Sequence, residues 1–150
     1  MKIILVVGAR PNFMKIAPLY NELIKFKRVE LFLIHTGQHY NFNMSDTFWR
    51  DLKLPKPCLF FGVGSGSHAK QTAKIMIKFE KACFDLKPDI VVVVGDVNSS
   101  LACAITAKKL GIPVAHVEAG LRSRDKTRRL WRVHPLPAFR RRAARPGAEG

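Results

Sequence analysis

Between Lys87 and Arg122 the chain reads KPDIVVVVGDVNSSLACAITAKKLGIPVAHVEAGLR, and few folds accommodate that order of residues. Ile90–Val94 is an unbroken β-branched run, the pattern of a strand covered on both faces of a parallel sheet. Gly95-Asp96 ends it, and Asn98 or Ser99 can cap a following helix by accepting from the free N–H groups of its first turn. Leu101–Leu110 is rich in helix formers, with Lys108 and Lys109 near the negative end of the helix dipole. Gly111 suits the left-handed position after a helix, and Pro113 leads into a second strand, Val114–Val117. Asp96 and Glu118 thus fall just past the carboxyl ends of consecutive strands. In an open parallel sheet that edge binds ligands.

The rest of the chain repeats the alternation. Lys2–Val7 reads as a central strand, and Gly8-Ala9-Arg10-Pro11-Asn12 as the turn after it. Phe13, Ile16, Ala17, Tyr20, Leu23 and Ile24 recur at helical spacing to about Lys27, while Pro18 within them predicts a kink or break. Val29–Ile34 is a second strand, followed by HTGQHY at 35–40, a short helix over Asn43–Asp51 and an edge-like strand over Leu54–Phe61. A flexible Gly62–Ser67 loop then leads into a helix from about Ser67 to Leu86 that buries Ile75, Met76, Phe79 and Phe84. Strands alternating with helices predict an α/β fold with a doubly wound, Rossmann-like parallel sheet.

With 150 residues the chain holds one domain with a real core but hardly two. The apolar start, MKIILVVGARP, is too short for a signal h-region or a membrane span, so no membrane partner is expected. Cys58, Cys83 and Cys103 are widely spaced without a metal-ligand pattern; they read as small buried hydrophobes in a reducing cytoplasm. No metal or redox cofactor is implied by any residue cluster.

The net charge of +15 invites a polyanion partner, but its distribution argues otherwise. Residues 1–127 carry 19 basic and 10 acidic side chains, with 14 lysines against 5 arginines. Residues 128–150 carry 7 arginines, no lysine and one acid. So abrupt a change divides the chain into a domain, 1–127, and an Arg/Ala/Pro-rich tail, 128–150, that reads as a different reading frame, a fusion joint or a disordered basic segment. With no recognised motif and no basic–aromatic platform, a specific nucleic-acid partner is not expected.

Gly62-x-Gly64 does not make a dinucleotide fingerprint: the first strand–helix turn, GARPNF, holds one glycine, and Gly66 has the wrong spacing. Arg10 and Lys15 lie at the end of the first strand and further along its helix, where a guanidinium and a helix N-terminus can hold a phosphate; the plainer reading is two solvated cations. His35 and His39 flank Thr-Gly-Gln38 at the same edge. Asp96 alone could be a turn residue. Glu118 is harder to explain structurally, because His116-Val-Glu118 leaves the sheet into a tight Ala-Gly turn. Convergence on one edge gives these individually weak signals their meaning.

The segments GARPNFMKIAPL (8–19), HTGQHY (35–40), GSGSHAKQTAKIM (64–76) and VVVVGDVNSSLACAITAKKLGIPVAHVEAGLRS (91–123) together resemble the non-hydrolysing UDP-N-acetylglucosamine 2-epimerases. The resemblance implies the N-terminal one of two facing α/β domains in the GT-B arrangement. It also implies interconversion of UDP-N-acetylglucosamine and UDP-N-acetylmannosamine by elimination and re-addition of UDP, with full-length relatives forming homodimers. By position it marks Asp96 and Glu118 as acid–base groups. Arg10, Lys15 and Arg122 become substrate-contacting cations, and Gln38 and His39 part of a second, regulatory substrate loop. After AGLRS the family continues with an acidic Pro-Glu-Glu segment, where this chain has Arg124-Asp-Lys-Thr-Arg-Arg-Leu-Trp-Arg132, and the resemblance stops. The expectation is an N-terminal fragment, inactive or nearly so by itself. The alternatives are a non-catalytic nucleotide-sugar-binding module and a relative of the hydrolysing epimerases.

Overall fold

A computed structural model describes residues 1–37 and 46–120, with the backbone alone at 46–48. Met1–Ala119 forms one compact unit. The expected boundary at 127 and the tail fall outside the described residues. This unit runs β1 (Lys2–Val7), α1 (Arg10–Leu23), β2 (Glu30–His35), α2 (Asp46–Asp51), β3 (Leu59–Phe60), α3 (His68–Leu86), β4 (Ile90–Val94), α4 (Asn98–Lys109) and β5 (Val114–Val117).

The five strands form one parallel sheet in the order β3-β2-β1-β4-β5. The chain builds outward from β1 in one direction, then returns beside β1 to build in the other. This is the expected doubly wound sheet, and β1–β4 is its switch point.

Unbroken apolar strands are stable here because both faces are covered. Ile4, Val6, Val91 and Val93 pack beneath α3 and α4 with Ile75, Phe79, Ala82, Cys83, Ala102 and Cys103. Ile3, Leu5, Val7, Val92 and Val94 face the other way, against Phe13, Ile16, Ala17 and Tyr20 of α1. Alternate residues of each strand thus feed separate cores. Burying side chains the size of Phe13 or Phe79 contributes about 1.5–3 kcal/mol each.

Several details differ from the sequence expectation. Helix α1 runs on through Pro18, which lies on its exposed face; the carbonyl left without a donor belongs to Met14, itself exposed. Strand β3 shrinks to two edge residues, since Pro55 and Pro57 precede it and cannot donate to a ladder. Phe84 is 61% exposed: the buried stripe of α3 is Ile75, Phe79, Ala82 and Cys83, and Phe84 projects off that face. Cys58 is exposed beside the edge strand, whereas Cys83 and Cys103 are buried.

Loop 62–67 is not free throughout. Val63 and Gly64 continue the path of β3, donating to the carbonyls of Thr36 and Gly37. In α4 the cap is the Val97 backbone, not Asn98 or Ser99, because both of those side chains bond elsewhere.

Candidate functional site

At the carboxyl edge of β1, β4 and β5 the chain presents Arg10, Lys15, Asp96 and Glu118. Arg10 is the first residue of α1, exposed at the positive end of the helix dipole. Lys15 lies further along the same helix. Its ammonium pairs with the carboxylate of Glu118, the first residue after β5. Asp96 is exposed two residues past β4. Glu118 adopts φ +67°, the left-handed region that a non-glycine residue enters only at a cost. Its carboxylate meets Lys15 where the chain leaves the sheet.

The corner carrying Asp96 is held from both sides. Gly95 donates its N–H to the Val117 carbonyl at 3.1 Å, and its own carbonyl lies 2.8 Å from His116 Nε2. The Val94 carbonyl accepts from Ser100 Oγ at 2.6 Å and from Asn12 Nδ2 at 3.3 Å. Asn12 is buried, and its Oδ1 accepts from the N–H groups of Gly8 and Ala9 at 3.2 and 2.9 Å. In the sequence Asn12 reads as a turn residue. Its third place in a helix opened by Arg10-Pro11 is the signal that could have marked it.

A second polar cluster joins the N-termini of α3 and α4. Gln71 Nε2 donates to the Gly64 carbonyl at 2.7 Å, and Asn98 Nδ2 donates to Gln71 Oε1 at 2.9 Å. His68 Nδ1 lies 3.0 Å from the same Asn98 nitrogen. Thr36 Oγ1 meets Ser99 Oγ at 2.7 Å. These bonds fix the lips of the edge and were not legible in the sequence.

His35 departs from expectation. It closes β2 at 6% exposure, with its ring centroid 5.1 Å from that of Phe13 and 5.0 Å from that of Phe60. Burial lowers its pKa to about 4, so it is a neutral core residue and not a ligand-facing one. Burial also raises the thiol pKa of Cys83 to about 11 and that of Cys103 well above the ordinary value, leaving both unreactive. Gln38, His39 and Arg122 lie outside the described residues. Among the described residues no group of three or more His, Cys, Asp or Glu side chains could hold a metal ion, and no helix is long and apolar enough to cross a membrane.

Comparison with known proteins gives this edge a context. The family model described as UDP-N-acetylglucosamine 2-epimerase matches residues 21–131. A UDP-N-acetylglucosamine 2-epimerase homolog of Methanococcus maripaludis is 48% identical over 126 residues, which are 84% of this chain and 35% of that protein. A UDP-2,3-diacetamido-2,3-dideoxy-D-glucuronate 2-epimerase of Pseudomonas aeruginosa is 41% identical over 82% of this chain and 35% of its own. The crystal structure of the Methanocaldococcus jannaschii UDP-GlcNAc 2-epimerase in complex with UDP-GlcNAc and UDP superposes with a TM-score of 0.78 at 46% identity. That match covers 85% of this chain and 35% of the other. The chain therefore spans about a third of the length of these relatives.

Proposed function

The chain belongs to the UDP-N-acetylglucosamine 2-epimerase family, and from that premise we propose that it supplies the N-terminal, acid–base half of a site that inverts C2 of a UDP-2-acetamido sugar. The observation that carries this reading is the Lys15–Glu118 pair beside Asp96 at the ends of adjoining strands. Inversion through elimination requires one group to take the C2 proton as the C1–oxygen bond breaks and UDP departs with the electron pair. A proton must then be returned to the opposite face of the resulting glycal as an oxygen of the retained UDP re-forms its bond to C1. Glu118, held against the Lys15 ammonium, is placed for the first task. Asp96 on the neighbouring strand is suited to sharing the second. Arg10 at the N-terminus of α1 offers a guanidinium and a helix dipole to the departing diphosphate.

The substrate is a UDP sugar with a 2-acetamido group. UDP-N-acetylglucosamine is the first choice, because the M. jannaschii structure holds it. The Pseudomonas relative's name makes a diacetamido uronate the competitor. By resemblance alone, Arg122 belongs to this proposal as a substrate contact, and Gln38 and His39 as part of a second, regulatory substrate loop.

Two experiments test it. Calorimetry of the full chain should detect UDP-N-acetylglucosamine, with weaker binding after Arg10→Ala. A chimera carrying residues 1–119 in place of the equivalent segment of the M. jannaschii enzyme should form UDP-N-acetylmannosamine in deuterated water with deuterium at C2. Asp96→Asn and Glu118→Gln should stop it. A folded chimera that binds UDP but exchanges no C2 proton would sink the acid–base assignment and leave a binding module. Release of free N-acetylmannosamine would instead indicate the hydrolysing chemistry.

A further inference from the structure

The pairing of β1 with β4 stops short of their carboxyl ends. It joins Ile3 to Ile90, Ile4 to Val91 and Leu5 to Val92, whereas β1–β2 continues to Val7–His35 and β4–β5 to Val94–Val117. Beyond Leu5–Val92 the two central strands are thus not joined by the ladder, and this is the switch point where a doubly wound sheet opens its crevice. Arg10 follows one strand and Asp96 the other. Nothing in the ladder fixes the distance between them.

We propose that Asn12 is the positioning residue that sets this opening, by tying the turn that carries Arg10 to the strand end that carries Asp96. Its side chain uses both ends of the amide. Oδ1 accepts from Gly8 and Ala9, and Nδ2 donates to the Val94 carbonyl across the gap. The orientation is dictated by chemistry: turned over, the NH₂ would face two N–H groups and the oxygen would face a carbonyl. At 4% exposure no water substitutes easily. The side chain also lies against the corner itself, since a Cβ on Gly95 would sit 3.5 Å from Asn12 Nδ2. Ser100 bonds the same Val94 carbonyl but from α4, without reaching the Arg10 turn. Both residues hold the Val94 carbonyl, but Asn12 spans the switch point and Ser100 does not.

That difference makes the test. Asn12→Asp keeps an acceptor for Gly8 and Ala9 but has no donor for Val94. Ser100→Ala removes the other bond to Val94 and leaves the span intact. Two readouts are made on the full chain at a temperature where both variants are folded. In the first, amide hydrogen exchange at Gly95 should accelerate about tenfold in Asn12→Asp while Gly8 and Ala9 stay protected. In the second, affinity for UDP-N-acetylglucosamine should fall about tenfold in Asn12→Asp and less than about twofold in Ser100→Ala, as expected for misplaced contact groups.

The affinity arm rests on the UDP-sugar reading; the exchange arm does not. If wild type fails to bind the sugar, that reading falls while the exchange result still decides the role of Asn12. Unchanged Gly95 exchange in Asn12→Asp, or equal loss of affinity in both variants, would overturn the proposal.

Discussion

The ammonium of Lys15 in α1 is paired with the carboxylate of Glu118, 103 residues further along the chain and one residue past β5. Neither side chain is deeply buried, at 37% and 27% exposure, so the bond stabilises the fold by less than about 1 kcal/mol. Its consequence is chemical. A carboxylate held beside a cation, on a backbone in the left-handed region, is placed at a cost to the fold.

This makes Glu118 separable from stability. Glu118→Gly loses the ion pair but relieves a backbone strain of about 1 kcal/mol, so the urea midpoint should barely move. In the chimeric epimerase, both Glu118→Gly and Glu118→Gln should lower turnover by about 10²–10⁴-fold, the range set by a lost acid–base group. A large drop in stability for Glu118→Gly would mean that the residue is structural.

His35 predicts an acid-sensitive fold. Its pKa is about 4 in the native state against an ordinary 6.5, so the unfolded chain takes up a proton first as pH falls. The contribution is intact above pH 6.5 and is lost as pH drops toward 4. In full it amounts to about 3 kcal/mol. Urea midpoints between pH 7.5 and 4 should decline in wild type and decline less in His35→Gln.

Gly37 and Gly111 both adopt left-handed φ, +68° and +76°, but in different surroundings. A Cβ on Gly111 meets nothing within 4 Å, so Gly111→Ala should cost only the backbone strain, about 1 kcal/mol. On Gly37 it would come within 2.8 Å of the Phe60 ring and 3.0 Å of the Gly62 backbone. Gly37→Ala should therefore cost about 3 kcal/mol, strain and overpacking together. Thermal unfolding of the pair would check the ranking.

Two phenylalanines on α3 make an opposite pair. Phe79 is fully buried between α3 and the sheet, and Phe79→Ala should cost about 3–5 kcal/mol. Phe84, 61% exposed, should tolerate serine within about 0.5 kcal/mol. Chemical denaturation at neutral pH reads both.

The sequence by itself determined the layers and the edge. Unbroken runs such as Ile90–Val94 can be stable only between two covered faces, and the helices separating them force parallel crossovers. Those two facts make a doubly wound sheet, and they send Arg10, Asp96 and Glu118 to one edge because each follows a strand's carboxyl end. What the sequence could not carry is which side chain meets which across that edge. The Lys15–Glu118 pair, the Asn12 bond to Val94 and the burial of His35 between Phe13 and Phe60 join segments far apart in the chain. Local periodicity records how often a face recurs, not what lies opposite it. Strand order and register decide that, and they exist only once the sheet has formed.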